Sequence, residues 1–171
     1  GQRQMCIRDR FIWHMEEYLK NQLTLIETPR GFITNTKDLE KSWMSKVVSC
    51  NGRIGWIGSN GRPDAAAGHS IIAGQYKDRS PQLITQCNQV VKECKGTTVK
   101  HKIWPINPED VRLVAFVDSS FDFKGERHQQ GWIVGYTNQY LNKKMRAPVS
   151  IAQWRSRKLP RKAGSPQLVE T

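Results

Sequence analysis

An acidic residue directly follows an apolar run in the second half of the chain. The run Leu113–Val117 is continuous, and Asp118 comes immediately after it. An uninterrupted run of this kind predicts a strand that is buried on both faces, here over 112–117. An Asp at its end either starts a turn through its side chain or holds a cation through its oxygens. The residues alone leave both interpretations open.

Positive charge is concentrated near the end of the chain. The net charge is +12, and residues 143–162 hold eight Lys and Arg with no acid. Such density predicts a polyanionic partner, most often nucleic-acid phosphate, and the alternative is a solvated surface. In WRSRKLPRK the basic residues flank an aromatic that can stack on a base. The predicted nucleic-acid contacts are Lys143, Lys144, Arg146, Trp154, Arg155, Arg157, Lys158, Arg161 and Lys162.

The cysteines do not suggest a secreted disulfide framework. Cys87, Cys94 and His101 recur at seven-residue steps, which would align them on one helix face. A zinc site needs closer ligand pairs and a fourth ligand. Packing in a helical core therefore explains the two cysteines better, because a free Cys behaves as a small hydrophobe. We expect reduced, intracellular thiols.

Three glycines fall inside a predicted helix. Apolar residues recur at helical spacing from Leu39 to Ile57, and Gly52, Gly55 and Gly58 share one face of the helix that this pattern predicts. A phosphate-binding glycine loop would follow a strand and open a helix, which is the alternative reading. Glycines that interrupt a helix instead favour close approach of a neighbouring helix.

Capping signals predict the remaining helices. EEYLKNQL predicts a turn or two of helix, Pro63 suits the first position of the next, and Asp64 lies in its first turn. In SPQLITQCNQVVKECKG, Ser80 is the cap, Pro81 is the first residue and Gly96 ends the helix. Its apolar face predicts a core helix.

The periodicity changes after the two prolines of WPINPED. Residues 112–117, GWIVGYTN and VSIAQWRSR are predicted strands, the first two joined as a hairpin. The predicted fold class is α+β, with a helical region over 11–105 and a sheet region over 106–171. Residues 1–10 read as a non-native leader. No apolar run approaches the ~20 residues needed to cross a bilayer, so no membrane partner is predicted.

Four motifs in this order resemble copia-type long-terminal-repeat retrotransposon polyproteins. GRIGWIGSNGRPDAAAGHSIIA resembles the helix and Arg-Pro-Asp turn downstream of the polymerase palm, the turn being Arg62, Pro63 and Asp64, and SPQLITQCNQVVKECKG fits the next helix. FVDSSF, GWIVGYTN and PVSIAQWRSRKLPRKAGSPQLVE resemble the start of the ribonuclease H domain. The resemblance covers 11–171. It implies a helical thumb- and connection-like region, then a partial ribonuclease H-like mixed sheet of three strands and the start of its first helix.

The resemblance also implies a chemistry. The parent would copy RNA into DNA and hydrolyse the RNA strand of RNA–DNA hybrids. Converging carboxylates would hold two Mg²⁺ ions ~4 Å apart. Asp118 matches the first metal carboxylate of the family, and Glu170, on the acid-bearing helix, matches the second. The implied partners are an RNA–DNA hybrid or template–primer and the rest of the Pol polyprotein.

The chain also departs from the family pattern. It contains no Asp-Asp pair, so the polymerase Tyr-x-Asp-Asp is absent, and it stops at Thr171, before the later ribonuclease H acids. We therefore expect an inactive fragment of an active parent. An open sheet edge predicts marginal stability and a tendency to aggregate.

Other functions are compatible with the same residues. One is a non-catalytic, basic nucleic-acid-binding protein in which Asp118 is structural, and another is a decayed retroelement relic. A third is a cellular ribonuclease H-fold nuclease with an unrelated helical prefix, against which the resemblance of Arg62, Pro63 and Asp64 argues. The expected location is intracellular, with a cytoplasmic particle and the nucleus both open.

Overall fold

A computed structural model describes residues 11–120, 128–138 and 146–159, which form a mixed α and β structure. The helices are α1 (Glu16–Asn21), α2 (Phe32–Asn35), α3 (Lys41–Asn60), α4 (Pro63–Ala73) and α5 (Gln82–Gly96). The strands are β1 (Phe11–His14), β2 (Lys100–Ile103), β3 (Arg112–Ser120), β4 (Gln129–Thr137) and β5 (Ser150–Lys158). Two single 3₁₀ turns lie at Tyr76–Asp78 and Pro108–Asp110.

The buried core lies in the helical region. Helices α3 and α5 turn their apolar residues, spaced three and four apart, toward each other and toward α1. The predicted helix starts are displaced by one or two residues: α3 begins at Lys41 and not at Leu39, and α5 begins at Gln82 with Pro81, not Ser80, at the cap position. The hydroxyl of Ser80 still accepts a hydrogen bond from the backbone N–H of Gln82 at 3.2 Å. The fully buried apolar side chains there include Leu23, Leu39, Val47, Ile54, Ile57, Leu83, Ile84, Cys87 and Val91.

The Arg-Pro-Asp turn connects α3 to α4 and also contacts the end of α5. The side chain of Arg62 is 1% exposed, and its Nε and Nη2 donate to the carboxylate of Asp64 at 2.9 and 2.7 Å. Its Nη1 donates to the carbonyl oxygens of Cys94 (2.7 Å) and Thr97 (2.9 Å). The last carbonyls of a helix have no partner within that helix. Arg62 therefore caps the end of α5 while Pro63 begins α4.

A short ribbon that the sequence patterns did not predict closes the helical region. Strands β1 and β2 are antiparallel, with Phe11 opposite Ile103 and His14 opposite Lys100. The ribbon is held to the end of α3, because the indole N–H of Trp13 donates to the carbonyl of Asn60 at 2.9 Å. The two ends of the helical region are thereby tied together.

The other three strands form an antiparallel sheet in the order β3-β4-β5. Directly opposite residues share one face of a sheet. The face that carries Trp154 lies against the helices: its indole N–H donates to the carbonyl of Gly58, and its ring stacks on His101 with centroids 5.2 Å apart. Ser70 on α4 donates to the side chain of Gln129 on β4 at 3.2 Å. These contacts join the sheet to α3 and α4.

Strand β3 is not buried on both faces, so that prediction is wrong. The exposed fractions of Leu113, Phe116 and Val117 are 68%, 54% and 46%. Among the described strands β3 pairs on one side only, with β4, and α4 packs mainly against β5 at the other edge. The apolar run correctly predicted a strand, but an apolar run does not show whether other elements cover its two faces.

The predicted role of the glycines holds at two of the three positions. A Cβ at Gly58 would lie 3.1 Å from the Cα of Ala66 on α4, and one at Gly55 would overlap the ring of His69. Nothing lies within 4 Å of a Cβ at Gly52, so its predicted packing role is wrong. Gly55 and Gly58 let α3 and α4 approach closely.

The predicted alignment of His101 with Cys87 and Cys94 is also wrong. Helix α5 ends at Gly96, and His101 lies on β2 with its Nε2 2.7 Å from the carbonyl oxygen of Gly61. Both cysteines are buried in the core, as expected. Within 11–120, 128–138 and 146–159, no group of three His, Cys, Asp or Glu side chains could hold a metal ion.

Alanine substitutions at two glycines of α3 should have opposite effects. Gly58→Ala forces the Ala66 backbone away and should lower the free energy of unfolding by roughly 1–3 kcal/mol. Gly52→Ala meets nothing and should raise it by up to about 1 kcal/mol, because Ala favours a helix interior. Urea unfolding measures both. Equal effects at the two positions would contradict the close contact of α3 with α4.

Removing the Arg62 side chain should be the most damaging change in the turn. Arg62→Met leaves the Cys94 and Thr97 carbonyls without their donor, and we expect a loss of about 3 kcal/mol in the free energy of unfolding. Lys77→Met, at an exposed cation, is the matched control. Urea unfolding compares the two variants, and a similar loss in both would contradict the capping role.

Asp64→Asn removes the negative charge beside Arg62 and leaves the hydrogen bonds from Arg62 to the end of α5 in place. The hydrogen bonds from Arg62 hold the pKa of Asp64 below its ordinary value of about 4. The stability it adds is therefore present above that ordinary pKa and lost as the pH falls through the lower, folded pKa. Asp64→Asn should cost less than Arg62→Met and reduce the loss of stability on acidification. If the free energy of unfolding falls as steeply on acidification in Asp64→Asn as in the unsubstituted chain, Asp64 is not the source of this pH dependence.

Candidate functional site

The Asp118 carboxylate lies on the helix-facing side of the sheet. It is opposite Gly131 on β4, which is opposite Ser156 on β5. Trp154, two residues before Ser156, contacts the end of α3, so this row shares the face turned toward the helices. Asp118 itself is exposed, not held within a buried strand. A glycine at 131 leaves space beside the carboxylate.

A cleft of about 370 Å³ opens beside Asp118, between the sheet and the first turns of α4. Pro63 and Ala67 form the α4 wall, and Phe116 supplies apolar surface on β3. Ser120 and Gln129 also line this cleft. The arrangement combines one carboxylate, hydroxyl and amide oxygens and an apolar wall. It can hold a single cation weakly or accept hydrogen bonds from a ligand.

The donor set of the described residues does not by itself fit a two-magnesium site. Such a site needs several converging carboxylates, and Asp118 is the only acid that lines this cleft among the residues the structure describes. Glu170, the second predicted metal ligand, lies outside the described residues. No catalytic step follows from Asp118 alone, and its metal role stays a prediction.

Five of the nine predicted nucleic-acid contacts lie within the described ranges. Arg146 is exposed just before β5, and Arg155, Arg157 and Lys158 are exposed on β5 itself. Trp154 is half-buried. The other predicted contacts, which lie outside the described residues, are Lys143, Lys144, Arg161 and Lys162.

The basic residues of β5 divide between the two faces of the sheet. Arg155 is opposite Trp132 on β4, and Arg157 is opposite Gln130, which accepts hydrogen bonds from its Nε and Nη2 at 3.1 and 3.0 Å. These four residues share the face turned away from α4, which we call the outer face. Lys158 lies on the opposite face, beside Gly74 at the end of α4.

The aromatic residue beside the basic pair on the outer face is Trp132, not Trp154. Trp154 is turned toward the helices, where its ring stacks on His101, so it does not stand beside Arg155 and Arg157 as WRSRKLPRK suggested. Trp132 is directly opposite Arg155 and partly exposed. Trp132 was not among the predicted nucleic-acid contacts. Strand alternation together with the β4–β5 register identifies it, and the register was the missing information.

Comparisons with known proteins add no assignment. No family model, curated protein or solved structure matches the chain. In the described part of the chain, no helix is both long enough and apolar enough to cross a membrane.

Proposed function

We propose that the chain is part of a copia-type retrotransposon polyprotein and that its sheet contacts an RNA–DNA hybrid or template–primer. The observation that carries the proposal is the arrangement around Asp118. An Asp-bearing strand is followed by two more strands in antiparallel succession, and the carboxylate lines a cleft. The resemblance implies this order of elements. The Arg-Pro-Asp turn between α3 and α4 supports it further.

In this proposal the outer face supplies phosphate contacts to nucleic acid that lies away from the Asp118 cleft, because the two are on opposite sides of the sheet. Arg155 and Arg157 are exposed and lie two residues apart on one strand, so their guanidinium groups follow one line along the sheet. Guanidinium groups bind phosphate oxygens through paired N–H donors, and each such contact releases counterions from the nucleic acid. Trp132, between them and β3, offers an aromatic surface to an unpaired base.

In the parent protein, Asp118 would supply one carboxylate to Mg²⁺-dependent hydrolysis of the RNA strand, with Glu170 as a second. Both roles rest on the resemblance. A metal-binding carboxylate must be held on a fixed element and must be open to the substrate. Asp118 fits this requirement, because it is on a paired strand and lines a cleft that reaches solvent.

A non-catalytic nucleic-acid-binding protein is the second candidate function. The separation of the two faces favours it: Arg155 and Arg157 lie on the side of the sheet opposite Asp118. Binding through the outer face therefore does not require the carboxylate. In that case Asp118 is a structural residue of β3.

Removing two guanidinium groups from the outer face should weaken binding and its salt dependence together. We expect Arg155→Ala/Arg157→Ala to lower affinity for a short RNA–DNA hybrid and to flatten the slope of log K against log salt by about 2, because each lost phosphate contact removes about 0.9. Fluorescence anisotropy from low to moderate salt measures both quantities.

The matched control removes the same charge from another surface. Lys77→Ala/Lys92→Ala deletes two exposed cations on the helical region and should leave most of the salt slope unchanged. If the two double variants lose affinity equally, binding follows net charge and the outer face has no special role. Hybrid binding that does not depend on salt would exclude phosphate recognition altogether.

The retroelement proposal also predicts the flanking reading frame. In the source nucleic acid, we expect an Asp-Asp pair upstream and a further Asp-tipped strand downstream of these residues. Sequencing outward from both ends checks this. A frame that closes just after Thr171 would exclude the catalytic proposal and leave the nucleic-acid-binding one, which the binding assay tests separately.

A further inference from the structure

Strand β3 is an exposed edge of the three-stranded sheet. Within the described residues it pairs only with β4, so no described strand meets the backbone N–H and C=O groups along its other side. The middle of the strand, 115–118, is exposed on both faces of the sheet. Backbone groups at such an edge, flanked by apolar side chains, favour the addition of another strand. The edge of β3 is therefore an interaction surface.

The sequence of β3 is complementary to itself when two copies run antiparallel. Arg112 and Asp118 enclose five apolar residues, and strand alternation places both charged side chains on the same face. In a pairing centred on Ala115, Arg112 of each copy is directly opposite Asp118 of the other. Every apolar residue between them is then opposite another apolar residue, and cross-strand pairs of both kinds stabilise a sheet. Arg112 also donates to the carbonyl of Val111 at 3.0 Å, and a guanidinium with five N–H donors can bind more than one oxygen.

Neighbouring registers of the same pairing lack this match. Sliding one copy by two residues keeps each side chain on its face, but it places Asp118 opposite either Asp110 or Val114. The first register brings like charges together, and the second sets a carboxylate against an apolar side chain. Both registers lose the two pairs of opposite charge. The charges at the ends of β3 therefore specify one register.

The geometry of the sheet lets two copies meet and stops the association there. A twofold pairing uses the same edge of both copies. The opposite edge strand, β5, carries Arg155, Arg157 and Lys158 and no acid, so two β5 edges repel each other. Helix α4 packs mainly against β5, and the two β5 strands would be five strand spacings apart, about 24 Å. That distance exceeds the helix diameter of ~10–12 Å, so the α4 helices do not obstruct the pairing.

We propose that the partner of the β3 edge is a second copy of this chain. The two copies form a twofold-symmetric dimer with a continuous sheet in the order β5-β4-β3-β3-β4-β5. The second copy also brings a residue to the cleft, because its Arg112 is beside Asp118 on the face that lines the cleft. A cation bound at Asp118 and Arg112 of the second copy compete for the same carboxylate. The proposal does not rest on the nucleic-acid function.

Sedimentation equilibrium over a range of protein concentrations tests for the dimer. We expect the mass to rise from the 19.7 kDa of one chain to twice that value and no further. Hydrogen exchange of the backbone amides in 112–118 should slow over the same range of concentration. A chain that stays monomeric at every concentration would overturn the proposal, whatever covers β3, and so would growth beyond two copies.

Charge reversal tests the register of the pairing. Arg112→Asp and Asp118→Arg each place like charges opposite each other at two positions, so each should raise the dissociation constant of the dimer by about tenfold or more. The double variant Arg112→Asp/Asp118→Arg restores two pairs of opposite charge and should recover most of the affinity. Lys77→Asp and Asp78→Arg, the matched controls, make the same changes in net charge at exposed positions away from the sheet and should have little effect. A folded double variant that does not recover would overturn the proposal.

A single added cysteine locates the symmetry axis and decides the question if a charge variant does not fold. Cys6→Ser is the background, and Cys50, Cys87 and Cys94 are buried. Cysteines introduced at 115 in both copies would have Cβ atoms ~5 Å apart, whereas those at 113 would be four residues out of line, ~14 Å. Mild oxidation should therefore link Ala115→Cys into a covalent dimer and leave Leu113→Cys unlinked. Equal linking of the two variants, or none at 115, would overturn the proposal.

Discussion

The buried guanidinium of Arg62 is the interaction on which the arrangement of the helices depends. Moving a charge out of water costs several kcal/mol unless its hydrogen-bonding capacity is met, and here Asp64, Cys94 and Thr97 meet it. These partners fix where α3 stops, where α4 starts and how α5 ends. Since Pro63 and Ala67 of α4 wall the cleft beside Asp118, the position of that cleft follows from the same turn.

The sheet places the Asp118 carboxylate on one face and the exposed guanidinium groups of β5 on the other. Strand alternation sends Trp154 and Asp118 toward the helices and Trp132 and Arg155 outward. An anchoring aromatic, Trp154, and an exposed cation, Arg155, are therefore adjacent in the sequence without competing for space. A nucleic acid on the outer face would leave the cleft open, so both surfaces can be used at the same time.

Local signals in the sequence predicted α1, α3, α4 and α5 but not the four-residue α2, and distant pairings were not visible in it. Proline, glycine and Ser80 mark the ends of α4 and α5 within a few residues, so those helices could be predicted. The carbonyl partners of Arg62, on Cys94 and Thr97, lie more than 30 residues away, and no periodicity reveals them. The same limit hid the β1–β2 ribbon, the exposure of β3 and the outward position of Trp132, because each depends on which segments pair and in what register.

The β1–β2 ribbon also sets an order of folding during synthesis. β1 finds its partner about 90 residues later in the chain, a delay of roughly 5–20 s at typical translation rates. Until then the apolar residues Phe11, Ile12 and Trp13 have no strand to pair with, while α3 and α5 can already pack. The ribbon can therefore form only after β2 has been made, which is later than the packing of α3 on α5 can begin.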